Sequence, residues 1–266
     1  MTPTHETAIA LLLGLGCLVL LAVTGRLACV REEFPTAARR IAALVLLWGI
    51  LSVAVFHPVV SPGAAAQVDP DGLPFAALFA GHVLLAGFLA AWWRLAYPEP
   101  LRRFLRLETA SSADVGFGVR IGLLGWGVAL MTGAAAALGL QAIGYAPGGG
   151  EEAMAVPPLL LWLADLSVER KLAVVAVAMT VEEAFFRGFL QPRIGWIPAS
   201  VLFALAHAGY GLPTLLASVL ALSLVIGWAF RRTGSLLPCI VAHGVFDAIQ
   251  IFVVMPLAIE HLRRLA

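Results

Sequence analysis

The sequence predicts an all-α fold, a polytopic transmembrane helical bundle with about eight membrane helices, and three observations predict it. Of 266 residues, 61% are hydrophobic and only 12% charged, which is more apolar surface than one soluble core of this length buries. Several separate apolar runs approach the roughly 20 residues that a helix rising about 1.5 Å per residue needs to cross a hydrocarbon slab about 30 Å thick. The Lys and Arg residues sit in short clusters between those runs rather than along one face.

In chain order the expected spans are Thr7 to Leu27, Ile41 to Val60, Leu73 to Trp93, Ile121 to Ile143, Leu172 to Gln191, Leu212 to Phe230 and Leu236 to Ala258. Two shorter apolar stretches, Ala155 to Leu166 and Ile194 to Ala208, are too short to cross upright and read as tilted, broken or partly buried helices. The chain divides into residues 1–150, with about four N-terminal spans, and residues 151–266, whose helices carry the unusual polar residues, within one integrated membrane domain. The first run is not preceded by Lys or Arg and is followed by Arg26, so it is expected to be a retained helix rather than a signal peptide. Pro147-Gly148-Gly149-Gly150 and Ser61-Pro62-Gly63 mark loop tips.

The links Arg26 to Arg40 and Arg94 to Arg120 are rich in arginine and should be cytoplasmic. The intervening links, His57 to Gly72 and Gln141 to Met154, contain no Lys or Arg but carry Asp69, Asp71, Glu151 and Glu152, as outside loops do. Beyond Lys171 the rule gives no single answer, because Arg231-Arg232 and Arg263-Arg264 flank one apolar run. The net charge of +1 gives no footprint for nucleic acid. The expected partners are the lipid bilayer and a membrane-associated protein or peptide, and the expected location is the cell membrane. Cys17, Cys29 and Cys239 are odd in number and lack Cys-x-x-Cys spacing, so neither a disulfide framework nor a zinc ribbon is expected.

Ionisable side chains at membrane depth cost at least about 2.5 kcal/mol each, so those that occur need pairing or a use. Glu182 and Glu183 interrupt one apolar run, His207 closes another, and His243 with Asp247 lies inside a third. Residues four apart share a helix face, whereas adjacent ones are turned by about 100°. Glu183 therefore pairs with Arg187 and leaves Glu182 pointing elsewhere. Phe203 shares a face with His207, and His243 with Asp247. Together Glu182, His207, His243 and Asp247 could activate a water and hold an oxyanion. A lone histidine such as His82 reads instead as a hydrogen-bonded helix contact.

Three segments resemble the CPBP family of intramembrane proteases, the CAAX-processing and bacteriocin-immunity family. Its E-E-x-x-x-R is present as Glu182-Glu183-Ala184-Phe185-Phe186-Arg187, its F-x-x-x-H as Phe203-Ala204-Leu205-Ala206-His207, and its third motif as His243-Gly244-Val245-Phe246-Asp247. The resemblance covers roughly the C-terminal 100 residues. It implies that Glu182 and His207 activate the hydrolytic water, that His243 and residue 247 stabilise the oxyanion, and that Glu183 and Arg187 support them. Asp247 departs from the asparagine of the family pattern: an ionised carboxylate would repel an oxyanion, so orienting His243 is the expected role. A metal-free glutamate mechanism is favoured. Zinc on Glu182, His207, His243 and Asp247 is the alternative, although H-E-x-x-H is lacking. The rival functions are a proton or cation path through the same residues and a catalytically silent membrane scaffold.

Overall fold

The computed structural model describes residues 3–64, 72, 74–96, 99–145 and 158–265. Asp69, Asp71, Glu151, Glu152 and the Pro147–Gly150 loop tip lie outside the described residues. In chain order the helices are α1 (Pro3–Val23), α2 (Ala28–Glu33), α3 (Ala37–Val60), α4 (Phe75–Ala96), α5 (Leu101–Phe104), α6 (Ser112–Ala142), α7 (Pro158–Asp165), α8 (168–194), α9 (Trp196–Ala206), α10 (Pro213–Thr233) and α11 (237–265). No strand occurs among the described residues, and the all-α expectation holds.

Six of these, α1, α3, α4, α6, α10 and α11, are long and apolar enough to cross a membrane, and the protein is an integral membrane protein. The expected count of about eight is approximate for a physical reason. Helix α8 has the length, but Glu169, Arg170, Lys171, Glu182, Glu183 and Arg187 spoil its apolarity, while α9 is shorter than a bilayer is thick. Side chains such as Leu12, Val19, Leu20, Val83 and Met131 stay exposed on the bundle, as lipid-facing residues do.

Helix ends follow local chemistry. Helix α6 begins well before its apolar run because Ser111 and Asp114 form a capping box, in which the Ser111 backbone N–H donates to Asp114 at 3.0 Å. Helix α10 stops at Gly234, which adopts φ 66° and closes the last turn onto Phe230. Between α8 and α9 the chain turns at Gly195 (φ 94°), where the Arg26 guanidinium donates to the Ile194 carbonyl.

The bundle gathers its arginine-rich links at one end. Arg26 reaches Ile194, Arg193 pairs with Glu33 at 2.9 Å, and the Leu236 N–H donates to the Arg106 carbonyl at 2.9 Å. Arg231 stacks over Trp196 at the same end, 5.3 Å from its ring centroid. The ambiguity beyond Lys171 is thereby resolved geometrically: Arg231 lies with the two arginine-rich links, and Arg264 lies at the far end of α11.

Helix α6 packs directly on α11 through Gly118 and Gly122. A Cβ on Gly122 would stand 2.7 Å from the Ala242 carbonyl oxygen and 2.7 Å from Val245 Cβ. The obstruction is backbone, so relief requires α11 to move, and His243 with it. Gly122→Ala is therefore expected to destabilise by about 1–3 kcal/mol. Gly127→Ala, where a Cβ meets nothing within 4 Å, should be neutral or slightly stabilising through helix propensity. Thermal unfolding in detergent checks the opposite signs.

Candidate active site

Helix α8 carries the centre of the site. From Glu182 to its end at residue 194 is about 18 Å at helical rise, roughly half the thickness of a bilayer core. Immediately after Glu183 the helix widens into a π-helical stretch, Ala184–Leu190, all of it buried. Such stretches occur frequently at functional sites. Phe185, Phe186 and Phe189 fill the space around it, packing edge to face on Phe88 of α4, Phe203 of α9 and Trp92 of α4.

Adjacent carboxylates take different environments, as the helical geometry requires. Glu183 and Arg187 are fully buried and form the expected ion pair, Arg187 Nε lying 3.2 Å from Glu183 Oε2. Arg187 also donates to Ser223 Oγ at 3.0 Å and lies over the Phe203 ring at 4.9 Å. Glu183 has a second partner: its Oε1 stands 2.9 Å from His243 Nδ1. His243 Nε2 in turn lies 3.4 Å from Asp247 Oδ2, so both ring nitrogens face carboxylates.

Glu182 turns toward the two other imidazoles. Its Oε1 lies 3.1 Å from His82 Nε2, and its Oε2 lies 3.9 Å from His207 Nε2 with no hydrogen-bond partner among the described residues. His207 Nδ1 is 2.9 Å from the Phe203 carbonyl, which only accepts. Nδ1 therefore carries a proton, and in the neutral ring Nε2 presents a lone pair toward Glu182. The Phe203 ring lies between the two histidines, 4.8 Å from His207 and 5.8 Å from His243.

The structure thus brings Glu182, Glu183, Arg187, His207, His243 and Asp247 into one neighbourhood from α8, α9 and α11. Glu182, His207 and Asp247 keep side-chain exposures of 16–23%, enough to be approached, while Glu183 and Arg187 are sealed. Three contributors were not legible in the sequence: His82 on Glu182, Ser223 on Arg187, and Tyr210, whose ring stacks on His207 at 6.4 Å. The sequence did mark His82 as a helix contact, but no intrahelical spacing could reveal a partner 100 residues away.

The donor arrangement argues about metals on its own terms. Among the described residues no three His, Cys, Asp or Glu side chains converge as a metal-ligand set. With Glu183 on one nitrogen and Asp247 on the other, His243 has no lone pair turned toward Glu182.

Residues 165–249 match the family model for Rce1-like type II CAAX prenyl endopeptidases. A stretch of 84 residues is 38% identical to an uncharacterized protein, YpbD, of Bacillus subtilis (strain 168); it takes in 31% of this chain and 43% of that protein. No solved structure matches the chain. The segment 165–249, which holds the Glu182–Glu183–Arg187 turn, His207, His243 and Asp247, is thus similar to Rce1-like type II CAAX prenyl endopeptidases.

Proposed function

We propose that the protein is an intramembrane endopeptidase that hydrolyses a peptide bond of a membrane-associated or lipidated protein, using water activated by Glu182 and His207. One observation carries the reading: with the His207 ring neutral, Glu182 Oε2 and His207 Nε2 are two acceptors 3.9 Å apart, and neither meets another donor among the described residues. A single water donating one proton to each would be held with an oxygen lone pair free to attack a carbonyl carbon. As the C–O bond forms, Glu182 takes one of the water's protons. It then delivers that proton to the leaving amide nitrogen as the C–N bond breaks.

The Nε2–H of His243, directed at Asp247 Oδ2 over 3.4 Å, is the donor that the oxyanion would share with Asp247. Glu183 and Asp247 orient its ring, and Arg187 balances the charge of Glu183. The carboxylates facing both ring nitrogens of His243 support a metal-free mechanism over zinc, because neither nitrogen is left free as a ligand. Activity persisting in strong chelator, together with metal analysis of the pure protein, tests this: stoichiometric zinc lost along with activity would overturn it.

Asp247 occupies the place of an asparagine in the family pattern. We expect Asp247→Asn to keep cleavage within about tenfold, because the amide oxygen still accepts from His243 and its N–H adds a donor for the oxyanion. Asp247→Leu removes both capacities and should lose about 10²-fold or more. Product formation at matched protein levels distinguishes them, and equal activity in the leucine variant would remove Asp247 from the mechanism.

The function itself is tested by comparing membrane proteomes from cells carrying the wild type or Glu182→Ala and mapping peptide termini. Termini that depend on Glu182 identify substrates. Unchanged termini combined with altered proton or cation flux would instead favour a conduction pathway through the same residues.

A further inference from the structure

His82 lies outside the matched segment, on a helix from the N-terminal half, and it is the histidine that touches Glu182 at hydrogen-bond distance, 3.1 Å from Nε2 to Oε1. An ionised carboxylate only accepts, so the Nε2 of His82 donates. Its Nδ1 is then left buried and, among the described residues, without a partner. A leucine at this position would bury with no such orphaned acceptor, so the packing of α4 alone gives no reason for an imidazole here.

The placement is built, not incidental. Leu85, Phe88, Leu89 and Trp92 continue the His82 face of α4 and are all buried. Phe88 meets Phe185 at 5.5 Å, and Trp92 meets Phe189 at 4.8 Å between ring centroids. These contacts set the register of α4 on α8. One helical turn from His82, Phe79 meets the imidazole edge-on at 6.1 Å and fixes the ring plane.

We infer that His82 is a positioning residue for Glu182: by donating to Oε1 it turns Oε2 toward His207 and makes that oxygen the one that takes the proton of water. The inference rests on the reading of Glu182 as the base. It gives the N-terminal half of the chain a part in a site whose motifs all lie in the C-terminal half. The chemistry it calls for is narrow, a single neutral N–H donor at the place of Nε2.

That requirement makes the test specific. The amide nitrogen of glutamine stands as many bonds from Cα as Nε2 does in histidine, whereas that of asparagine corresponds to Nδ1. The probe is a synthetic peptide spanning a terminus that depends on Glu182, assayed with the full chain in lipid nanodiscs. We expect His82→Leu and His82→Asn to lower kcat about 10- to 100-fold, the range seen when the orienting partner of an active-site group is removed. KM should change by less than about twofold, because substrate binding is untouched. His82→Gln should stay within about threefold of the wild type.

A second readout needs no substrate. The infrared difference between wild type and Glu182→Gln contains the Glu182 carboxyl bands; these should shift in His82→Leu and return in His82→Gln. Wild-type kcat in His82→Leu overturns the inference, as does a glutamine variant as impaired as leucine at equal thermal stability. Loss of activity that follows loss of thermal stability in all three variants would assign His82 a packing role and overturn it equally. Failure of the function reading looks different: Glu182→Ala would then leave peptide termini unchanged, whatever His82 does.

Discussion

Alanine at Glu182 is expected to abolish cleavage, with a loss of about 10²–10⁴-fold or more, while the protein still inserts and folds. The two halves of this outcome have separate causes. Cleavage fails because the residue that would take the proton from water is gone. Folding survives because Glu182 is the partly exposed carboxylate of the pair, its side chain 16% exposed against 0% for Glu183. Its removal costs one contact to His82 and strands no opposite charge. Glu183→Ala should behave in the reverse manner, since Glu183 is fully buried and its loss leaves Arg187 without its counter-ion and His243 Nδ1 without its acceptor. Cleavage of a Glu182-dependent peptide, measured beside thermal unfolding in detergent, separates the two variants. Near-wild-type proteolysis by Glu182→Ala would remove the enzyme reading altogether.

Arg187→Ala should produce the largest loss of stability in the molecule, about 3–5 kcal/mol. The guanidinium is completely buried, faces Glu183 at 3.2 Å, donates to Ser223 at 3.0 Å and covers the Phe203 ring. Deleting it leaves a buried carboxylate with His243 as its remaining close partner. Arg187→Lys is not a mild change here, because an ammonium cannot address Glu183, Ser223 and the aromatic face together in the planar arrangement. The double variant Glu183→Gln with Arg187→Met should regain most of the lost stability, since no charge is then left unpaired. Its glutamine oxygen still accepts from His243 Nδ1, so the orientation of that ring should be kept as well. Thermal unfolding of the single and double variants checks this. Full stability in Arg187→Ala would mean that the pair does not hold α8 in place.

Sequence and structure divide the molecule in an instructive way. Membrane spans were legible because each lipid-facing helix must be apolar along its own length, a local property. The pairing of Glu183 with Arg187 and the divergence of Glu182 were legible for the same reason: helical phase alone sets both, and the structure keeps them. The start of α6 was misjudged because the capping box at Ser111 and Asp114 begins the helix in polar sequence ahead of its apolar run. Charge clustering located two arginine-rich links but left Arg231-Arg232 ambiguous until the packing of Arg231 on Trp196 placed it.

By itself the sequence determined that the chain is a bundle of membrane helices and that Glu182, Glu183, Arg187, His207, His243 and Asp247 are the side chains in need of an explanation. Only tertiary structure decided how they are wired: Glu183 to His243, Glu182 between His82 and His207, and Arg187 on Ser223. The reason is physical. Helical periodicity correlates residues a turn or two apart, whereas a hydrogen bond across 60 or 100 residues depends on how whole helices dock. That docking is set by side-chain shape in the aromatic contacts of α4 with α8 and in the glycine contacts of α6 with α11.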